Sequence, residues 1–317
     1  MKKTCLSLAI IMALFSCQKE DDSQTTTSKA SKRSCASQEV LDRQLKENPE
    51  LAAQMNQIED FTENAMLQNR LVNGKIEIPV VVNVLYRTAA ENISAAQIQS
   101  QIDVLNKDFN AQNSDYNSVP ALFSGVKANV GITFVLDQVI RKATTKSSWG
   151  TRDAIKKTKQ GGLNPTSPTT KLNMWVGKIG GGILCYAQFP GGSSATDGVV
   201  IDPLYFGVTS NSSSAYPYNL GRTATHEVGH WMNLRHIWGD ATCGSDLVSD
   251  TPSHNTANYG VPTYPHYSTC SGAPVEMTMN YMDYTDDRGM YMFSLGQKSR
   301  MDAIFLSGGP RFSFAQP

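Results

Sequence analysis

The chain has 317 residues, 28 Lys and Arg against 28 Asp and Glu, a formal net charge of +0, and 40% hydrophobic against 18% charged content. That length holds one large domain or two modest ones plus processing segments, with the apolar fraction of a globular protein. The charge balance leaves neither a basic excess for nucleic acid nor an acidic tail.

At the N terminus, Lys2 and Lys3 precede an apolar run from Leu6 to Phe15. The run is too short to span a bilayer and has the length of a secretory signal. It ends in Leu14-Phe15-Ser16-Cys17, which resembles a bacterial lipobox, with Phe15 larger than the usual residue there. Cys17 would be lipidated and become the mature N terminus. The following Gln18-Lys19-Glu20-Asp21-Asp22 resembles the acidic tether of cell-surface (outer-membrane) lipoproteins. Plain secretion with cleavage nearby is the alternative. On either reading the chain works outside the cytoplasm, touches a membrane only through a lipid anchor, and is free to form disulfides. Of six cysteines, Cys5 lies in the signal and Cys17 at the lipidation site, leaving Cys35, Cys185, Cys243 and Cys270.

Asp21 to Lys32 reads as a solvated linker of Ser, Thr and Lys. From Gln38 to Gln68 the apolar spacing is helical, and Asn48-Pro49 divides it into two helices. Ile76, Ile78 and the run Val80 to Tyr86 form a buried strand. A helix follows from Asn92 to Asn110, capped near Ser94, with Ile98, Ile102, Leu105 and Phe109 on one face. Further strands are expected at Ile132 to Leu136, Lys171 to Val176, Leu184 to Phe189 and Gly198 to Ile201. Gly180 to Gly182 lacks the context of a phosphate cradle and reads as a turn. Residues 239–275 are rich in Gly, Pro, Ser and Thr, and a loop this long needs a brace. Cys243 and Cys270 flank it, and a disulfide between them would contribute about 3–4 kcal/mol on the chain-entropy model. A last helix runs from about Ser294 to Phe305. Strands and a helix ahead of a further helix suggest an α/β sheet with helices packed on it.

That further helix carries the chemistry. Three of the five histidines fall in HEVGHWMNLRH, from His226 to His236. On a helix His226 and His230 lie about 40° apart on one face, a turn apart. Catalytic zinc takes three protein ligands and a water. Glu227 cannot point at the same spot but can reach a metal-bound water. His236 lies too far along to share the face, so the helix must end and the chain bend back. Asn233 is the expected place, because Asn tolerates the left-handed conformation.

HEVGHWMNLRH resembles the metzincin zinc signature, with Asn233 where Gly usually stands. Asn280-Tyr281-Met282-Asp283-Tyr284 resembles its methionine turn. HEVGHWMNLRHIWGD, SDLVSDTP and MNYMDYTDD together are similar to the pappalysin family, from about residue 75 to the end. The resemblance implies an α/β (α+β) metzincin fold. A twisted, mostly parallel five-stranded sheet with backing and active-site helices would form an upper subdomain to about residue 233. An irregular lower subdomain would span residues 234–317. The segments ahead of this catalytic domain of residues 75–317 would be a signal peptide, 1–17, and a linker and propeptide, 18–74.

It further implies a zinc-dependent endopeptidase made as a latent zymogen, acting on protein or peptide substrates as a monomer. One catalytic zinc would be held by His226, His230 and His236. Glu227 would take the proton of the zinc-bound water and pass one to the leaving amine. Met282 would form an apolar floor. Tyr284 would assist the oxyanion, or else be a packed aromatic. Asp246, Val248, Asp250 and Thr251 would bind structural calcium, or else, with Asp240, form a solvated loop. Arg33-Ser34-Cys35-Ala36 resembles a propeptide segment whose Cys35 thiolate blocks the zinc; a disulfide to Cys185 and a free thiol are the alternatives. Activation cleavage would fall between Asn69 and Lys75, with Arg70 and Lys75 as candidate sites. Gly289 stands where a second family disulfide would have a cysteine, so that bridge is not expected. Arg288 lies near where the family places acidic residues that select Arg or Lys, which puts basic specificity in question. Two other classes fit the motif: a zinc amidase or deacylase on a non-protein substrate, and a non-catalytic surface lipoprotein with structural zinc. His254 and His266 read as loop residues outside the signature.

Overall fold

The computed structural model describes residues 32–67, 76–209 and 217–315. The signal, Cys17, most of the linker, and the activation segment with Arg70 and Lys75 lie outside the described residues. Among these no helix is long and apolar enough to cross a membrane.

The sheet has five strands, β1 (Ile76–Tyr86), β2 (Ile132–Ala143), β3 (Leu172–Val176), β4 (Cys185–Ala187) and β5 (Val199–Ile201), in the order β2-β1-β3-β5-β4. All pairings are parallel except β4 against β5. β2 continues well past the expected Leu136. It is an outer strand, and Gln138, Arg141 and Lys142 on an exposed edge hide its apolar signal. β4 is shorter than expected, because it pairs only where its three residues face β5.

Side chains alternate across the sheet. Val80, Val82, Val84, Met174, Val176, Cys185, Ala187, Val199 and Ile201 point to the main core, while Leu85, Trp175, Tyr186 and Val200 point to a smaller one on the other face. The main core is completed by helix α3 (Ala95–Phe109), by helix α4 (Arg222–Trp231) and by the segment around Met282. The Ser94 hydroxyl caps α3 by accepting from the Gln97 amide at 3.1 Å, as its position predicts. Every residue of α4 is buried. Such a helix cannot be a surface amphipath, so its polar side chains must be partnered or functional.

The N-terminal pattern gives two helices, α1 (Ser37–Glu47) and α2 (Pro49–Leu67). Leu41, Leu51 and Met55 pack on Phe189. Glu59 of α2 forms a bidentate pair with Arg300 of the last helix, α5 (Leu295–Ala303), at 2.6 and 2.5 Å. α5 begins with a full capping box on Ser294 and Gln297. Between α4 and α5 the chain is almost all turns, braced by the Cys243–Cys270 disulfide across a separation of 27 residues. The Cα atoms there are 5.6 Å apart, within the range a disulfide requires.

Candidate metal centre

α4 ends where the sequence predicts. Asn233 takes φ 71°, the Leu234 amide donates to the Gly229 carbonyl at 2.9 Å, and the Asn233 amide donates to His230 at 2.9 Å. These two bonds form a Schellman termination, which turns the chain back under its own helix. Arg300 Nε clamps the turn from outside through the Asn233 carbonyl at 2.7 Å. The bend brings His236 to the face shared by His226 and His230.

The three imidazoles converge on one point. His230 Nε2 lies 3.1 Å from His226 Nε2 and 3.1 Å from His236 Nε2. Three nitrogens at about 2.05 Å from a tetrahedral ion would sit about 3.3 Å apart, so the triangle has the size of a zinc site. Each Nδ1 is engaged behind the ring: His226 with the Tyr281 carbonyl at 2.7 Å, His230 with the Leu234 carbonyl at 2.8 Å, His236 with Asp240 at 2.5 Å. Those acceptors fix the Nδ1–H tautomer and leave every Nε2 lone pair facing inward. Burial pushes the pKa of His226 down to about 4. Burial acts the same way on His236, but Asp240 outweighs it and holds that ring up to about 9, a more basic donor. Asp240, weighed in the sequence with the calcium loop, thus serves His236 instead.

Cys35 completes the set. Its sulfur and one ligand atom from each of the three histidines lie within 4.8 Å of one another, all buried. Burial alone would raise the Cys35 thiol; hydrogen bonds from Cys185 and the three histidines bring it well below its usual value. Cys35 and Cys185 are both free thiols, so the disulfide alternative is not the arrangement here. Three imidazoles and a cysteine sulfur form a donor set that fits zinc.

Glu227 is fully buried beside this cluster. Its Oε2 accepts from the Ser37 hydroxyl at 2.7 Å, and its Oε1 has no hydrogen-bond partner. Burial, and then the nearby Cys35 thiolate, push its pKa well above the usual carboxylate range. Met282 lies below the histidines with no exposed surface. A Cβ on Gly229 would stand 2.5 Å from the Met282 sulfur, so a larger residue here would push the Met282 side chain out of its place. The Tyr284 hydroxyl donates to the Cys35 carbonyl at 3.1 Å, so it reaches a carbonyl next to the metal position.

Three features escape the sequence. The segment ahead of α1 is laid on the sheet edge: the Leu184 amide donates to Ser34 O at 2.9 Å, and the Ala36 amide donates to Cys185 O at 3.0 Å. Arg33 is buried, stacked on Tyr218 at 4.6 Å, with Nη1 donating to Thr223 at 3.1 Å and Nη2 paired with Asp287 at 2.5 Å. Arg288, by contrast, has 61% of its side chain exposed and approaches Asp286 at 4.0 Å. The acidic group in this pocket is its neighbour Asp287. Finally, His254 is fully buried rather than an open loop residue, its Nε2 accepting from the Met277 amide at 3.0 Å. His266 is 42% exposed.

The expected calcium ligands do not all meet. Asp246 accepts from Thr251 Oγ1 at 2.9 Å and from the Val248 amide at 3.1 Å. Asp250 instead serves the start of α5, accepting from Ser294 Oγ at 2.6 Å and from the Gly296 amide at 2.8 Å.

Comparison with known proteins agrees with this geometry. The family model for pregnancy-associated plasma protein-A, Peptidase M43, matches residues 181–306. Extracellular metalloprotease 1 of Coccidioides posadasii is 30% identical over 248 residues, which are 76% of this chain and 82% of that one. A promirolysin variant of Tannerella forsythia superposes with a TM-score of 0.82 at 37% identity, covering 89% of this chain and 97% of its own. Mature mirolysin of the same organism, in complex with a cleaved peptide, gives a TM-score of 0.73 at 40% identity over 77% of this chain and 96% of its own. The likeness in sequence and in fold has one source: the chain belongs to the M43 (pappalysin) family and is a metalloprotease with the metzincin fold.

Proposed function

We propose that the protein is an exported zinc endopeptidase made in latent form, with His226, His230 and His236 holding the metal and Glu227 as general base. The observation that carries endopeptidase over amidase is the extended stretch from Arg33 to Ala36, held by backbone hydrogen bonds along β4 beside Glu227. A site that already seats a polypeptide backbone is shaped for one. Zinc bound there supplies a Lewis acid and a water acidic near neutrality. Glu227 takes the proton from the attacking water and returns one to the leaving amine. Tyr284 donates to the developing oxyanion, the same kind of contact it makes to the Cys35 carbonyl. Mass spectrometry of peptide-library cleavage, with and without a zinc chelator, tests the reading; intact peptides in both arms would reject it.

Latency is supported by Cys35 in the metal cluster and by Ser37 on Glu227. The neighbour named promirolysin also covers 89% of this chain against 77% for the mature form. Cys35→Ala in the full chain is expected to raise cleavage of a fluorogenic peptide before processing by about tenfold or more, the equivalent of ~1.4 kcal/mol of lost hold. Equal latency in the variant would remove the thiolate from the mechanism. Export is supported by relatives named extracellular metalloproteases. The surface lipid anchor on Cys17 is tested by Cys17→Ser, which should release the protein from the membrane fraction.

The segments propose themselves as domains: residues 18–74 as linker and propeptide, 75–317 as catalytic domain. Pocket preference follows from Arg33, whose place on Asp287, Thr223 and Tyr218 is one that a basic substrate side chain would take after the segment leaves.

Calcium rests on Asp246 with the carbonyls of Val248 and Thr251, hard oxygens in a loop without secondary structure. Burial raises Asp246 to about 6. Its folded pKa thus exceeds the unfolded one, so without a cation this group costs stability as pH rises from about 4 to 6. A bound cation would reverse that cost. At neutral pH a calcium chelator is expected to lower Tm by about 5–10 °C, from ~2.7 kcal/mol at a hundredfold excess over Kd and about 2–4 °C per kcal/mol. The difference should shrink near pH 5, where Asp246 is protonated. A melting curve that ignores the chelator at both pH values would exclude the site.

A further inference from the structure

Among the described residues two thiols stand outside the disulfide, and they are neighbours. Cys35 and Cys185 face each other as a parallel β-bridge, flanked by the backbone bonds from Leu184 to Ser34 and from Ala36 to Cys185. Sheet alternation turns Cys185 toward the helix side, the side of α4 and the histidines. Its sulfur, the Cys35 sulfur and a Glu227 carboxylate oxygen lie within 4.8 Å of one another. Glu227 Oε1, fully buried, has no hydrogen-bond partner. Cys185 itself has no exposed surface.

What covers this corner comes from one short segment. Ser34 O takes the Leu184 amide, the Ala36 amide takes Cys185 O, and Ser37 Oγ takes the Ala187 amide at 2.8 Å while donating to Glu227. Each of those bonds is lost when the segment leaves. The Cys185 sulfur then faces the space where Cys35 lay, next to the Glu227 carboxylate.

We propose that Cys185 is a covalent modification site that the N-terminal segment shields and processing uncovers, and that an adduct there closes the substrate lane. This rests on the latent-protease reading. The ligand class is a small disulfide. The Cys185 thiol gives its proton to solvent, its sulfur attacks one sulfur of R–S–S–R, a Cys185–S–S–R bond forms, and the released thiolate takes up a proton as R–SH. The oxidising equivalents come from the small disulfide, and excess free thiol reverses the step. Inhibition follows from position: the adduct stands on the edge strand beside Glu227, where Ser34 to Ala36 occupy the backbone lane in the latent form. The disulfide-bonded Cys243 and Cys270 do not compete for the reagent.

The test treats the full chain, and the same chain cut by limited trypsin and freed of its N-terminal segment, with oxidised glutathione. Intact mass and peptide mapping read the adduct; peptide cleavage reads the effect. The processed protein should gain one glutathione on Cys185 and lose most of its cleavage, with recovery in reduced glutathione, while Cys185 of the full chain stays unmodified. Cys185→Ser should cut peptides normally and resist the reagent. Four results would overturn the proposal: no adduct on Cys185 under conditions that modify the denatured protein, equal adduct on Cys185 in the full chain, a Cys185 adduct with cleavage retained, or inhibition that persists in Cys185→Ser. An untreated processed chain that cuts nothing would count against the endopeptidase reading instead, and the mass gain on Cys185 would still decide whether the thiol is uncovered.

Discussion

Glu227→Ala in the processed protein is expected to lower kcat for peptide cleavage by about 10²–10⁴-fold, the range for loss of a positioned general base, while zinc content stays at one per chain. The separation of the two readouts follows from the site. The three Nε2 atoms converge through hydrogen bonds to Tyr281, Leu234 and Asp240, none of which involves Glu227. Removing the carboxylate therefore leaves the donor triangle in place. It also removes the acceptor of the Ser37 hydroxyl, so the full-length variant should hold its N-terminal segment slightly less well. Metal analysis by mass spectrometry and peptide kinetics on one preparation check this. Cleavage within about tenfold of the parent, with zinc bound, would remove Glu227 from the chemistry.

The second large effect is on specificity. Asp287→Asn should lower kcat/KM for peptides with Arg next to the scissile bond by about 10²–10³-fold, and hardly change cleavage of matched peptides with Leu there. The magnitude is that of breaking a buried ion pair from one side, about 3–5 kcal/mol. Arg33 and Asp287 both have 0% side-chain exposure, so water cannot replace the lost partner. Asn keeps the size of the side chain and can still accept from the Leu220 amide, now 2.8 Å from Asp287 Oδ2. Competition between the two peptides in one tube gives the ratio directly. An unchanged Arg-to-Leu preference, with melting within a few degrees of the parent, would mean that Arg33 reports only on latency.

The zinc-binding arrangement was legible because it is mostly local. His226, Glu227 and His230 share one helix, and the left-handed Asn233 that returns His236 is a residue type with that tendency. β1, α3 and its Ser94 cap were legible for the same reason: period and capping act over a few residues. The full length of β2 is not legible because edge strands are not obliged to be apolar, and nothing local in the sequence separates the exposed Arg288 from its buried neighbour Asp287.

The sequence by itself determined the family and the shared helix face of His226 and His230, since helix period and side-chain chemistry act locally. Only the tertiary structure decided what those groups meet. Arg33 and Asp287 are 254 residues apart, Ser37 and Glu227 190 apart. Gly229 leaves room for the sulfur of the distant Met282. No local propensity encodes such pairs. They arise when the sheet and the buried α4 fix their backbones and the polar atoms trapped between them must find partners.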